Sequence, residues 1–139
     1  MIKWAGRLLA LIGAGHLTLG LLLSLDYVED WLSLRLWNNW LDDTPAVNAF
    51  WGNLAGFGLP LLIVGLLVTW MDRRGIVPPP FLAWTVLAWS SVFAVIAEPT
   101  PAPVMMVAAI MLLRGIHRAA TPAEPAPNTA KREPADGSN

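Results

Sequence analysis

One histidine interrupts an otherwise inert stretch. His16 stands in "GAGHLTLG" (13–20), inside a run from Leu8 to Leu25 that has no other ionisable side chain. Imidazole donates and accepts hydrogen bonds, and it is the side chain whose charge changes nearest neutral pH. Three kinds of chemistry are therefore open to His16. It can tie two helices together, it can line a polar pocket that binds a ligand or passes a proton, or it can ligate a metal or haem. The last lacks partners, because a metal wants further ligands at matched depth. The only other histidine, His117, falls near the far end of the last apolar run, and the one carboxylate at a comparable level is Glu98. Ser90 and Ser91 could in principle pair with His16 as nucleophile and base. No Gly-x-Ser-x-Gly elbow or oxyanion motif accompanies them, so the sequence does not read as that of an enzyme and implies no cofactor.

The composition says what must position these groups. Of 139 residues, 55% are hydrophobic and only 14% charged, and eight are tryptophan. A soluble chain this short has too little interior to hide so much apolar surface; a lipid bilayer covers it instead. The net charge of −1 lacks the basic face that a nucleic-acid partner would need, and with no cysteine there is no disulfide or thiol chemistry.

A helix of about 20 apolar residues crosses the roughly 30 Å hydrocarbon layer. Four segments qualify: 4–25, 47–71, 80–97 and 101–117, the last opening at Pro101, since proline suits a first helical turn. The predicted fold is all-α, a four-helix transmembrane bundle over residues 1–118. The first segment is long and has no Ala-x-Ala site after it, so it reads as a retained helix and not a cleaved signal. The end of the chain, 119–139, is rich in proline and polar residues without an apolar period, and is expected to be a disordered cytoplasmic tail.

Lys3, Arg7, Arg73, Arg74, Arg114, Arg118, Lys131 and Arg132 fall on one side of these spans, with Arg35 alone on the other. Asp26, Glu29, Asp30, Asp42, Asp43 and Glu98 mark that other side. The positive-inside rule then puts both termini in the cytoplasm and the protein in the cell (inner) membrane. The loop 26–44 carries Trp31, Leu34, Trp37 and Leu41 near helical spacing. This predicts a short helix on the outer surface, either as an aromatic anchor or as a lid.

Helices in lipid pack through small residues. Gly6, Ala10, Gly13, Gly20 and Ser24 form one stripe on the first span, and His16 lies within it. Gly52 and Gly56 form a Gly-xxx-Gly pair on the second, with Asn53 at the edge of their face and Pro60 placed to kink the helix. The packing residues are thus expected to be Gly13, Gly20, Gly52 and Gly56. At 1.5 Å per residue, His16 lies about 15 Å from Asp26, Asn53 about 12 Å from Pro45 and Ser91 about 10 Å from Glu98. These depths agree, and they predict a layer of His16, Asn53 and Ser91 in the outer half of the bundle. Glu98, in the proline-broken "AEPTPAPV" (97–104), would overlook it, with Trp51 beside it on the second span.

The "GAGH" to Gly20 run, "FWGNLAG" (50–56) and "GLP" (58–60) resemble an uncharacterised bacterial family of small four-span membrane proteins, a domain of unknown function. The resemblance covers about residues 5 to 115. It implies a four-helix bundle and supplies no activity. The expected function is an outward-facing pocket around His16, with Asn53, Ser91, Glu98 and Trp51, that binds or transports a small lipophilic or cationic ligand. The alternative is a non-catalytic accessory or scaffold subunit of a larger membrane complex or homo-oligomer.

Overall fold

The computed structural model describes residues 1–96 and 100–121. Glu98 and the tail beyond residue 121 therefore lie outside the described residues. Among those described the chain is all-α, with six α-helices and no strand. They are α1 (Ile2–Leu23), α2 (Val28–Leu32), α3 (Pro45–Gly52), α4 (Gly58–Arg73), α5 (Pro80–Ile96) and α6 (Ala102–Ala120), and a 3-10 turn (Leu25–Tyr27) precedes α2. Proline stands in the first turn of α3, α5 and α6, where its missing N–H costs nothing. Thr44 caps α3, its hydroxyl accepting from Val47 N at 3.3 Å.

The segment expected to be one span over 47–71 is two helices. Its break, residues 53–57, is written in glycine and proline. Gly52, Gly56 and Gly58 weaken the helix, and Pro60 has no N–H to offer the carbonyl of Gly56. Instead Ala55 N closes a wider turn onto Phe50 O at 2.9 Å, and α4 restarts with Leu61 N on Phe57 O at 3.0 Å. Pro60 thus sits in the first turn of α4 and kinks nothing.

Four longer helices make the body of the molecule, and their order in space is α4–α1–α6–α5. α1 and α4 run antiparallel and meet backbone to backbone. A β-carbon at Gly6 would stand 2.7 Å from Thr69 Oγ1, one at Gly65 the same distance from Ala10 Cα, and one at Gly13 2.8 Å from Leu62 Cα. α6 runs back along α1, with Gly115 against Ile2, and then carries α5. Two apolar clusters follow from this packing. Ala5, Val68, Ala83, Leu112, Leu113 and Ile116 form one; Leu9, Leu61, Val86, Met105, Ala108 and Ala109 form the other. α5 and α4 do not meet backbone to backbone; side chains bridge them, Leu61 and Val86 in the second cluster and Phe57 against Trp89 and Phe93.

Charge is divided between the two ends. Lys3, Arg7, Arg73, Arg74, Arg114 and Arg118 gather where α1 begins and α4 and α6 end. Asp26, Glu29, Asp30, Asp42 and Asp43 lie at the opposite end with α2 and the start of α3. Between them large apolar side chains point outward from all four helices, among them Leu11, Ile63, Trp84, Val95 and Val107. By length and composition α1 (22 residues) and α6 (19 residues) are the helices able to cross a membrane, and α5 is a shorter apolar helix.

Candidate functional site

The break between α3 and α4 leaves backbone carbonyls without helical partners, and His16 answers one of them. Its Nε2 lies 3.0 Å from Gly52 O. A carbonyl only accepts, so Nε2 carries the proton in this bond. The ring also lies on Phe57, with centroids 4.0 Å apart and planes at 36°. Gly58 makes room for it: a β-carbon there would come within 2.7 Å of His16 Cδ2. An amide makes a second tie. Asn53, half-buried, donates from Nδ2 to the buried Ser24 Oγ at 2.6 Å, and its side chain lies across Gly20. The 52–58 segment is therefore pinned at two points, to His16 within α1 and to Ser24 at its C-cap, about two helical turns apart.

The expected layer of three polar side chains is not assembled. Asn53 turns to Ser24 and not to His16. Ser91 Oγ donates to Leu87 O of its own helix at 2.8 Å, and Ser90 Oγ does the same at 3.1 Å. A hydroxyl facing no polar neighbour satisfies itself on the preceding turn, and what α4 presents to α5 at this level is the apolar ring of Phe57. Neither serine is thereby offered to His16 as a nucleophile. Gly13 and Gly20 lie in close contact with α4 and Asn53, but Gly52 and Gly56 do not pack helix to helix. A β-carbon at Gly52 would meet nothing, and one at Gly56 would run first into the carbonyls of Trp51 and Gly52 in its own segment. Gly58 and Gly65 are the glycines that face α1.

Between the 51–60 segment and α5 lies an open cleft of about 770 Å³. Trp51, Phe57 and Pro60 line one side, and Thr85, Trp89 and Phe93 the other. Its rings lock edge to face: Phe57 on Trp89 at 5.8 Å, Phe57 on Phe93 at 5.7 Å and Trp89 on Phe93 at 5.4 Å. Trp51 is fixed at the acidic end by its Nε1 donating to Trp40 O at 3.0 Å. His16 does not line the cleft but stands behind Phe57, holding that wall in place. Thr85, Trp89 and Phe93 had a legible signal, since residues four apart share a helix face. Phe57 had none, because its position depends on the break.

The chemistry open to such a site is apolar binding with a few polar contacts. Among the described residues no three His, Cys, Asp or Glu side chains gather to hold a metal, and no buried side-chain nitrogen or oxygen lacks a hydrogen-bond partner. Fold and site thus define a small all-α protein with a broken helix bordering an aromatic cleft. The chain belongs to the family described as "Family of unknown function (DUF6463)", whose model matches residues 1–119. No curated protein and no solved structure matches it.

Proposed function

We propose that the chain is a four-span membrane bundle whose α4–α5 cleft binds the apolar part of a lipophilic ligand, entered from the non-cytoplasmic half. The observation that carries this reading is the cleft itself: an aromatic-walled opening at the point where a helix is broken. Membrane proteins keep irregular backbone at depth only where protein covers it or a cavity adjoins it, and discontinuous helices border many transporter sites. Its volume lies within the 300 to 1,000 Å³ usual for small-molecule sites, roughly stated. The membrane setting is supported by the outward-facing leucines, isoleucines and tryptophans of all four long helices. It is supported again by the division of charge, with both termini of the helical body at the basic end. In this reading His16 is a positioning residue. It holds the Gly52 carbonyl and the Phe57 wall, and the ligand touches the rings.

A long-chain alcohol bearing a photoactivatable diazirine tests the proposal on the full chain in proteoliposomes. Label should concentrate on 51–60 and 85–93, and Thr85→Trp, which fills the cleft, should lower it several-fold. Label spread evenly over the outward faces of α1 and α6, unchanged by Thr85→Trp, would overturn it. The accessory-subunit reading has one observation in its favour, since a partner's helix could occupy the same unfilled cleft. Under that reading the partner-bound complex would show no preference of the probe for the cleft residues.

A further inference from the structure

The acidic end holds a second apolar recess, separate from the cleft. We infer that it is an aromatic cage for a quaternary ammonium group, formed by Trp31, Trp37, Trp40 and Phe50.

The backbone builds it. α2 stops at Leu32, and Leu34 adopts φ +58, a left-handed conformation that leucine rarely takes. The chain turns there, and Leu36, Trp37 and Trp40 come to border the same recess as Trp31 and Phe50, a space of about 300 Å³. Hydrogen bonds to backbone fix the walls. Trp31 Nε1 donates to Ala46 O at 3.0 Å, and Trp40 is held through its carbonyl by Trp51. Phe50 meets Trp31 edge-on at 6.0 Å. Trp37 remains 75% exposed, a large ring left facing outward at the mouth.

Charge and hydrogen-bonding capacity then choose the occupant. Residues 26–43 contain five carboxylates and one basic side chain, Arg35. That guanidinium is already paired with Asp30 at 2.6 Å. The field at this recess therefore favours a cation, and Asp42 borders the adjoining pocket that shares Leu36. Aromatic faces attract cations through their quadrupole. The side chains of the recess offer no hydrogen-bond acceptor, because an indole only donates and Leu and Phe do neither. A primary ammonium would find no side-chain acceptor there for its N–H groups. A quaternary ammonium has no N–H to satisfy, and its methyl groups suit apolar walls. The size, at the low end for ligand sites, fits a small headgroup and not a large solute.

Free choline and a phosphatidylcholine headgroup present this same group. The test uses the full chain in a maltoside detergent, which carries no ammonium, and follows tryptophan fluorescence at constant ionic strength. Choline should give a saturable change. The neutral isostere 3,3-dimethylbutan-1-ol and the primary amine ethanolamine should each bind at least about fivefold more weakly, the order expected of a cation–π contribution. Trp37→Leu keeps apolar bulk without the π face, and should weaken choline about tenfold with the melting temperature unchanged. Trp37→Phe should restore part of the affinity, which a purely structural role would not require. Asp42→Asn should weaken choline by a smaller factor that vanishes at high salt. In nanodiscs, competition by phosphatidylcholine but not phosphatidylglycerol identifies the lipid headgroup as the occupant. Equal affinity in both identifies the free solute. An equal response to the neutral isostere, no saturation, or a Trp37→Leu variant that binds choline as before would overturn the inference. Trp37 does not line the α4–α5 cleft, so the Trp37 variants separate this recess from it.

Discussion

His16 answers a carbonyl that the helix leaves open: Gly52 is the last residue of α3, and among the described residues no backbone N–H of the break reaches back to its oxygen. An amide can make the same donation. His16→Gln is therefore expected to keep most of the stability, while His16→Leu leaves a carbonyl unpaired and should cost about 1–3 kcal/mol. Thermal unfolding in detergent checks this; equal losses for the two variants would show that the ring's contact with Phe57, and not the bond, is what matters. The sequence showed that His16 shares a stripe with Gly13 and Gly20 and so faces other helices. It did not show that the partner is a backbone carbonyl, because that carbonyl is free only where a helix is broken. Ser91 was misplaced for a related reason. Its depth was estimated along α5, but depth does not decide where a hydroxyl donates, and Ser91 Oγ turns to Leu87 O of its own helix.

At the scale of the element, the spacing of glycines decides which faces meet. Gly6, Gly13 and Gly20 recur every seven residues on α1, and Gly58 and Gly65 repeat that interval on α4. The Gly52–Gly56 pair has the more familiar spacing, yet it falls at the break and packs against nothing across helices. The seven-residue interval was available in the sequence and outranked the four-residue one, because only an unbroken helix presents a continuous face. Substitution distinguishes the two sets. Gly65→Ala and Gly13→Ala push a methyl into the facing backbone of α4 or α1, and each should destabilise by about 1–3 kcal/mol. Gly52→Ala meets open space and should change stability by less than about 0.5 kcal/mol. Melting temperatures of the three variants check the order, and a Gly52→Ala loss as large as the others would contradict the packing described. The Trp31–Leu41 periodicity likewise met a local veto: the helix it predicts ends at Leu32, and the left-handed turn at Leu34 converts the rest into successive turns.

For the whole molecule, the division of charge is the feature most fully legible in the sequence, because it needs no knowledge of packing. The structure adds that the six basic side chains of the helical body meet at one end of four antiparallel helices. Arg7 lies over Trp4 at 5.1 Å and Arg74 over Trp70 at 5.5 Å, a pairing of cation and indole suited to an interface. The proposed bilayer would span from this level to that of Trp31, Trp40 and Trp51. α1, at 22 residues, is about 33 Å long, which matches a hydrocarbon thickness of roughly 30 Å. α4 alone has 16 residues, about 24 Å, and falls short; in the proposed topology α3 and the turn between them would have to complete the second crossing. The topology therefore depends on the broken helix crossing as a unit. Reporter fusions after residue 36 and after residue 76 examine this directly, since the first lies between α2 and α3 and the second between α4 and α5. Residue 36 should report the non-cytoplasmic side and residue 76 the cytoplasmic side, as basic residues flanking Gly75 require. Replacing Arg73 and Arg74 by glutamine should weaken the cytoplasmic signal at 76 without altering that at 36, because Lys3 and Arg7 still orient α1. The same compartment for both positions would mean that α3 and α4 do not cross, and the four-span reading, with the lateral cleft it supports, would fall with them.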